Sequence, residues 1–193
     1  MSARRANPED ILQFWFLQAG PTAWYKVSAA FDARMRRKYA RHVEREARLY
    51  ERGRHDWLDT PGGALALVLM FDQFPRNIWR GSGRAFAFDP LGLDVARRMI
   101  DKGFDWALPE EQRAFVYMPF MHSEALADQH TCIDLATERL SGTGTAQHAR
   151  KHCEVIERFG RFPYRNDALG RECTPEETAY LDGGGYAPGS KRK

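Results

Sequence analysis

The sequence predicts an all-α fold of about eight helices, arranged as a stack of antiparallel helical hairpins. Apolar residues recur every three or four positions along several long segments, which is the spacing of one helix face. Capping residues followed by proline, a helix-start signal, recur along the chain. No segment shows the alternation of apolar and polar residues that is typical of a half-buried strand.

The first four predicted helices cover residues 7–20, 28–53, 60–75 and 89–103. Asn7 and Pro8 start the first, which is apolar on nearly every face. The second is the clearest amphipathic helix, because apolar side chains line one face at Phe31, Met35, Tyr39, Val43, Ala47 and Tyr50. The third is apolar all round, so we expect a central buried helix that stops at Pro75.

The last four predicted helices cover residues 108–119, 123–140, 145–159 and 174–182. Pro119 is expected to interrupt the fifth helix, because proline has no N–H to donate to the preceding turn. Thr174 and Pro175 start the eighth. We expect residues 1–182 to form a single helical-repeat domain, followed by a flexible glycine-rich tail at 183–193 whose deletion leaves the thermal midpoint nearly unchanged.

One string occurs twice in altered form, at Phe71–Asn77 and again at Phe159–Asn166. Each copy follows an apolar helical segment, contains Phe-Pro and Arg-Asn, and is followed by a loop and a helix that begins with proline. Stacked helix pairs bury faces that one pair cannot bury alone. The duplication therefore predicts a short right-handed stack of hairpins with two similar corners.

Three longer segments carry a family resemblance: Phe71–Leu93, Tyr117–Gln129 and Arg158–Arg171. They resemble the bacterial family known as domain of unknown function 924, and the resemblance covers nearly the whole chain. It implies a tetratricopeptide-like all-α fold, in agreement with the repeat. It implies no reaction, cofactor or catalytic residue.

Composition excludes several classes of protein. The net charge of +3 and the mixing of acidic with basic residues argue against nucleic-acid binding. No apolar run is long enough to cross a membrane, and no secretory leader is visible. The 3 cysteines form no CxxC pair and suit a reducing compartment. We therefore expect a soluble cytoplasmic protein without a cofactor.

The first candidate site lies at residues 122–128. His122 falls on an apolar helix face and could act as an acid or base, with Glu124 and Asp128 as orienting groups or metal ligands. The alternative is a buried hydrogen-bonded histidine beside two surface acids. His148 and His152 stand four residues apart, but no third ligand follows at a known spacing, so we expect no metal site.

The second candidate site is formed by the two corners, whose polar residues are Arg76, Asn77, Arg161, Arg165 and Asn166. Guanidinium groups at one end of the stack could bind a carboxylate or phosphate in bidentate fashion. The alternative is structural, since Asn suits a left-handed helix cap and Arg can bond free carbonyls at a helix end or pair with Asp72 and Asp89.

Two functional classes remain open from the sequence. One is a helical-repeat binding module for a peptide or a small anionic ligand, a use common to stacked-helix scaffolds. The other is an enzyme, a hydrolase or lyase, that acts on an anionic substrate with His122 as its acid or base. The two classes make different structural predictions. If His122 and an arginine line one site, the enzyme is favoured. The oligomeric state is not encoded in any pattern we find.

Overall fold

The computed structural model describes residues 5–53, 55–140 and 142–186. Within these ranges the chain is helical and has no strand, so the all-α prediction is confirmed. None of the described helices combines the length and the apolar character that crossing a membrane requires. The helices are α1 Pro8–Leu12, α2 Gly20–Tyr25, α3 Ala29–Glu51, α4 Pro61–Val68, α5 Phe74–Ile78, α6 Asp89–Asp101, α7 Glu110–His122, α8 Leu126–Arg139, α9 Thr145–Phe159, α10 Asn166–Leu169 and α11 Pro175–Asp182.

Helix α4 is the centre of the fold, as its uniformly apolar sequence predicts. Every side chain from Ala64 to Phe71 is buried, and α4 packs against α1, α6 and α7. Each large apolar side chain buried in this way contributes about 1.5–3 kcal/mol to stability. Helix α3 covers one side of this core through the apolar face that the sequence predicts and packs against α5.

The third predicted helix does not stop at Pro75, and this prediction was wrong. Residues Leu69–Gln73 form a π-helical turn, in which the N–H of Phe74 reaches back to the carbonyl of Leu69. Helix α5 then begins at Phe74, so Pro75 occupies a first-turn position where its missing N–H matters little. The helical path therefore continues through the Phe-Pro string and carries Arg76 and Asn77 within it.

Pro119 does not interrupt α7 either, which runs to His122. Gln129 of α8 caps the end of α7: its buried amide donates to the carbonyls of Met121 at 2.8 Å and Ser123 at 2.6 Å. Pro119 itself is buried, so packing offsets the hydrogen bond that proline cannot make. The capped end of α7 holds His122 in place.

The two copies of the repeated string differ in structure. In the first copy the helix passes through Phe-Pro, and the chain turns later, at Gly81 with φ of 80°. In the second, α9 ends at Gly160 with φ of 67°, and Pro163–Arg165 form a separate 3-10 turn. A left-handed conformation at Asn77, considered from sequence, is wrong: no described non-glycine residue has a positive φ.

The apolar side chains form two separate clusters. The main core contains α1 to α8 and the start of α9. A smaller C-terminal core consists of Val155, Ile156 and Phe162, with the partly buried Phe159, Tyr164, Tyr180 and Tyr186 packed on it. Polar contacts join the two, among them the paired hydrogen bonds from Arg171 to Glu124 at 2.8 and 3.0 Å.

The predicted tail begins at Gly183, and the structure describes its first four residues. The backbone N–H of Tyr186 donates to the Tyr180 hydroxyl at 2.8 Å, and the Tyr186 ring lies 4.9 Å from that of His152. Residues 187–193 lie outside the described part of the chain. The segment from Gly183 to Tyr186 is thus packed on α9 and α11.

This packing changes the expected effect of truncation. Compared with a chain that ends at Tyr186, a chain that ends at Asp182 should unfold with about 1–3 kcal/mol less free energy, because it loses one partly buried aromatic side chain. For a domain of this size that corresponds to a decrease in the melting temperature of roughly 2–4 °C per kcal/mol. Thermal denaturation of both chains measures the difference, and equal midpoints would contradict the docking of Tyr186.

Candidate functional site

A buried carboxylate–histidine pair lies where the π-helical turn meets the end of α7. The Oδ1 atom of Asp72 is 2.7 Å from Nδ1 of His122, and Oδ2 accepts from Gln73 at 2.6 Å. Asp72 is fully buried, whereas 17% of the His122 side chain is exposed. Burial favours the protonated carboxyl, but His122, Arg76 and Gln73 outweigh it and lower the pKa of Asp72 to about 2.

The proton arrangement of this pair follows from the charge of Asp72. A carboxylate only accepts hydrogen bonds, so Nδ1 of His122 carries the shared proton. In the neutral ring Nε2 is then the basic nitrogen, which is the arrangement a histidine needs to take up a proton. Asp72 fixes both the tautomer and the orientation of the ring.

Two arginines, one from each copy of the repeated string, meet at one carboxylate, Asp89. Arg76 binds it in bidentate fashion, with 2.7 Å from Nη1 to Oδ1 and 2.9 Å from Nη2 to Oδ2. The Nη1 atom of Arg165 lies 3.5 Å from Oδ2 of the same carboxylate. Arg76 also lies 3.7 Å from Asp72, which connects the arginines to the histidine pair.

Arg165 is buried, and only some of its N–H donors have hydrogen-bond partners. Its exposed fraction is 4%, its Nε donates to the Tyr164 hydroxyl at 3.3 Å, and its Nη2 has no partner among the described residues. The guanidinium carbon lies 4.7 Å from the ring centre of Phe86 and 4.5 Å from that of Phe162. The two rings stabilise the cation but leave one donor nitrogen unused.

His152 presents a second unused polar atom nearby. Its Nδ1 donates to the His148 carbonyl at 2.9 Å, and its buried Nε2 has no partner within the described residues. Its ring centre lies 6.2 Å from that of His122 and 5.6 Å from that of Phe162. Burial, with the nearby charges of His122 and Arg165, lowers the pKa of His152 to about 3, so the ring is neutral at pH 7.

These groups form one connected cluster that we call the polar ring, in which Arg165 and His152 are joined through the Phe162 side chain that both contact. It consists of Asp72, Arg76, Asp89, Arg165, His152 and His122. The ring offers an oriented base, a buried cation with a spare donor and a neutral imidazole acceptor. Together these groups can bind a small anion and move a proton at one of its atoms.

Glu124 and Asp128 lie outside this ring. Glu124 pairs with Arg171 and accepts from the N–H of Phe162 at 2.9 Å, which joins the second corner to the end of α7. Asp128 binds Arg97 at 2.5 Å and accepts from the Ser123 hydroxyl at 2.7 Å. The group that orients His122 in the structure is Asp72.

The other corner residues connect helices. Asn77 accepts from Arg80 at 2.9 Å, and Arg80 binds Asp32 of α3. Arg161 binds Glu177 through two hydrogen bonds of 2.7 and 2.8 Å, which fastens α11 to the second corner. Asn166 donates to the same carboxylate at 3.3 Å. Of the five corner candidates, Arg76 and Arg165 belong to the polar ring.

Sequence reasoning named Asp72 and Asp89 only as structural partners of the corner arginines, and Arg76 does pair with both. It did not bring them together with His122 and His152 in one site. Asp72 and Asp89 stood in the repeated string and the following helix cap, where an acid has an ordinary structural role. His152 was considered only as a metal ligand with His148. Their position could have indicated them, because each of the three residues lies within or close to the segments that carry the family resemblance.

Fold and site together define an all-helical protein with a buried Asp–His pair and two arginines that share a carboxylate. The chain belongs to the family described as bacterial protein of unknown function, DUF924, whose sequence profile matches residues 11–185. A solved structure, a protein of unknown function, ATU0120, from Agrobacterium tumefaciens, is 41% identical, with a TM-score of 0.83. The match covers 91% of this chain and 97% of that one. No curated protein matches the chain.

Proposed function

We propose that the protein is an enzyme of the hydrolase or lyase type that acts on a small anionic substrate in the cytoplasm. Arg165 binds the negative group of the substrate, and His122, oriented by Asp72, moves the proton. The observation that carries the proposal is the fully buried Asp72 at 2.7 Å from His122, in the same polar ring as a buried arginine with an unused donor. Tetratricopeptide-like stacking of the helices supplies the rigid support.

The unused donor favours a small ligand over a peptide. A buried N–H without a partner lowers stability by about 1–3 kcal/mol, so such groups persist mainly where a ligand or water completes them. Arg165 lies between two aromatic rings and beside Asp89, and its unused Nη2 is the donor that a compact carboxylate or phosphate oxygen would accept from. A guanidinium binds such groups strongly.

We infer that a ligand would reach the polar ring past Tyr186. A surface groove of about 380 Å³ is lined by Lys151, Arg158, Tyr180 and Tyr186, among others. Tyr186 borders this groove and also packs on His152. Rotation of Tyr186 away from His152 would open a path to the polar ring, and Lys151 and Arg158 would attract an anion to the groove.

The binding step is tested by thermal shift with inorganic phosphate and with small mono- and dicarboxylic acids. We expect at least one anion to raise the melting temperature of the wild-type protein and to have no such effect on Arg165→Met. Arg98→Met is the matched control, because Arg98 is exposed and pairs with Asp94 at the surface, away from the groove. Equal responses from both variants would place the anion elsewhere and overturn the binding site.

The catalytic step is tested with chromogenic p-nitrophenyl esters and phosphates. Removing the general base is expected to lower the turnover of a hydrolysed substrate by about 10²–10⁴-fold. His122→Asn keeps a donor to Asp72 but lacks Nε2, and Asp72→Asn keeps the shape but loses the charge. Turnover that is unchanged in both variants contradicts the role of His122. An anion bound through Arg165 without turnover of any substrate leaves a binding module.

A further inference from the structure

We propose that His130, Cys153 and Glu157 form a binding site for a zinc-class divalent cation on the surface where α8 meets α9. The three residues each offer one ligand atom, and these atoms all lie within 4.8 Å of one another. The site is separate from the polar ring and does not depend on the proposed function.

Helix geometry places the three side chains together. Cys153 and Glu157 stand four residues apart on α9, so they lie on one face of that helix. His130 projects from α8, which packs against α9. The backbone positions are therefore fixed by helix packing, and only the exposed His130 and Glu157 side chains need to move.

His130 and Glu157 do not form a hydrogen bond with each other in the structure. The Nε2 atom of His130 is 3.9 Å from Oε1 of Glu157, which is longer than a hydrogen bond. Cys153 is buried, while more than half of the His130 and Glu157 side chains is exposed. Around a tetrahedral zinc ion the ligand atoms stand roughly 3.5 Å apart, so a small rotation of the two exposed side chains closes the site.

The chemical types of the three ligand atoms determine which class of metal ion the site prefers. A thiolate, an imidazole and a carboxylate suit zinc and cobalt, whereas magnesium and calcium prefer oxygen ligands alone. Three protein ligands leave the fourth tetrahedral position to water. Binding requires loss of the Cys153 proton, and burial and the Glu157 carboxylate raise the pKa of that thiol. Metal affinity is therefore expected to increase with pH.

The test is a titration with Co²⁺ followed by absorption spectroscopy, because a cobalt–thiolate bond gives a charge-transfer band. We expect one equivalent to saturate the band in the wild-type protein and Zn²⁺ to displace it. Cys153→Ser should abolish the band. Glu157→Gln and His130→Gln should weaken binding by more than about tenfold, the lower limit seen for residues that only support a ligand.

Two control variants test whether other metal-binding side chains of the protein, outside this site, account for the band. Cys173→Ser removes the exposed cysteine, and His148→Gln disrupts the histidine pair at residues 148 and 152. Both should keep the band and the cobalt affinity of the wild-type protein. The proposal is overturned if no band forms, if the band survives in Cys153→Ser, or if Glu157→Gln and His130→Gln both bind as tightly as the wild type.

Discussion

Lowering the pH from 7 to 5 is expected to reduce the free energy of unfolding by about 2 kcal/mol through His152 alone. The folded protein holds this ring neutral, with a pKa of about 3, whereas the unfolded chain has the ordinary value of 6.5. Between these two values the unfolded state binds the extra proton, so acid favours unfolding. The contribution of His152 is fully present above pH 6.5 and is lost progressively as the pH falls toward 3.

Urea denaturation at pH 7, 6 and 5 measures this effect. His152→Asn cannot take up a proton, and its amide can still donate to the His148 carbonyl, so its stability should change less with pH than that of the wild type. His130→Asn alters an exposed histidine and should keep the wild-type pH dependence. The expectation fails if His152→Asn loses as much stability between pH 7 and 5 as the wild type does.

Replacing Asp89 is expected to produce the largest loss of stability in the polar ring. Asp89→Ala leaves Arg76 without its bidentate partner and Arg165 with only the Tyr164 hydroxyl. Removing one partner of a largely buried ion pair lowers the free energy of unfolding by about 3–5 kcal/mol. Asp89 also lies in the first turn of α6, where its charge favours the positive end of the helix dipole.

A matched substitution at the surface tests whether the loss of any paired acidic side chain would lower the stability by the same amount. Glu44 pairs with Arg84, and about half of the Arg84 side chain is exposed to solvent. Glu44→Ala should therefore lower the free energy of unfolding by less than about 1 kcal/mol. If equilibrium denaturation gives equal losses for Asp89→Ala and Glu44→Ala, then Asp89 is not the shared anchor of the two arginines.

Local sequence signals predicted the helices well and predicted the effect of proline badly. Thr174 forms the capping box of α11, α9 spans Thr145–Phe159 as predicted, and Gly53 adopts a positive φ at the end of α3. Pro75 and Pro119 were interpreted as breaks because the rule considers one helix in isolation. A π-helical turn and tight burial accommodate them, and both depend on tertiary contacts.

The site could be predicted only as separate fragments. His122, Arg76 and Arg165 were chosen because each is a polar residue in an unusual setting. Asp72 and Arg76 follow the helical i,i+4 spacing. The pairing of Asp72 with His122 and of Asp89 with Arg165, however, joins distant parts of the chain that no spacing rule connects. An ion pair between residues 89 and 165 depends on how the two corners face each other, which is a property of the folded chain.

The division of the apolar side chains into two cores bears on how the molecule moves. Hydrophobic contacts are the main source of cohesion within each core, and charged pairs such as Arg171 with Glu124 and Arg165 with Asp89 cross the boundary between the cores. Such a boundary can open as a local unfolding unit while the larger core stays intact. The polar ring lies along this boundary. An anion bound in the polar ring, as proposed, would contact groups on both sides of this boundary and would therefore oppose its opening.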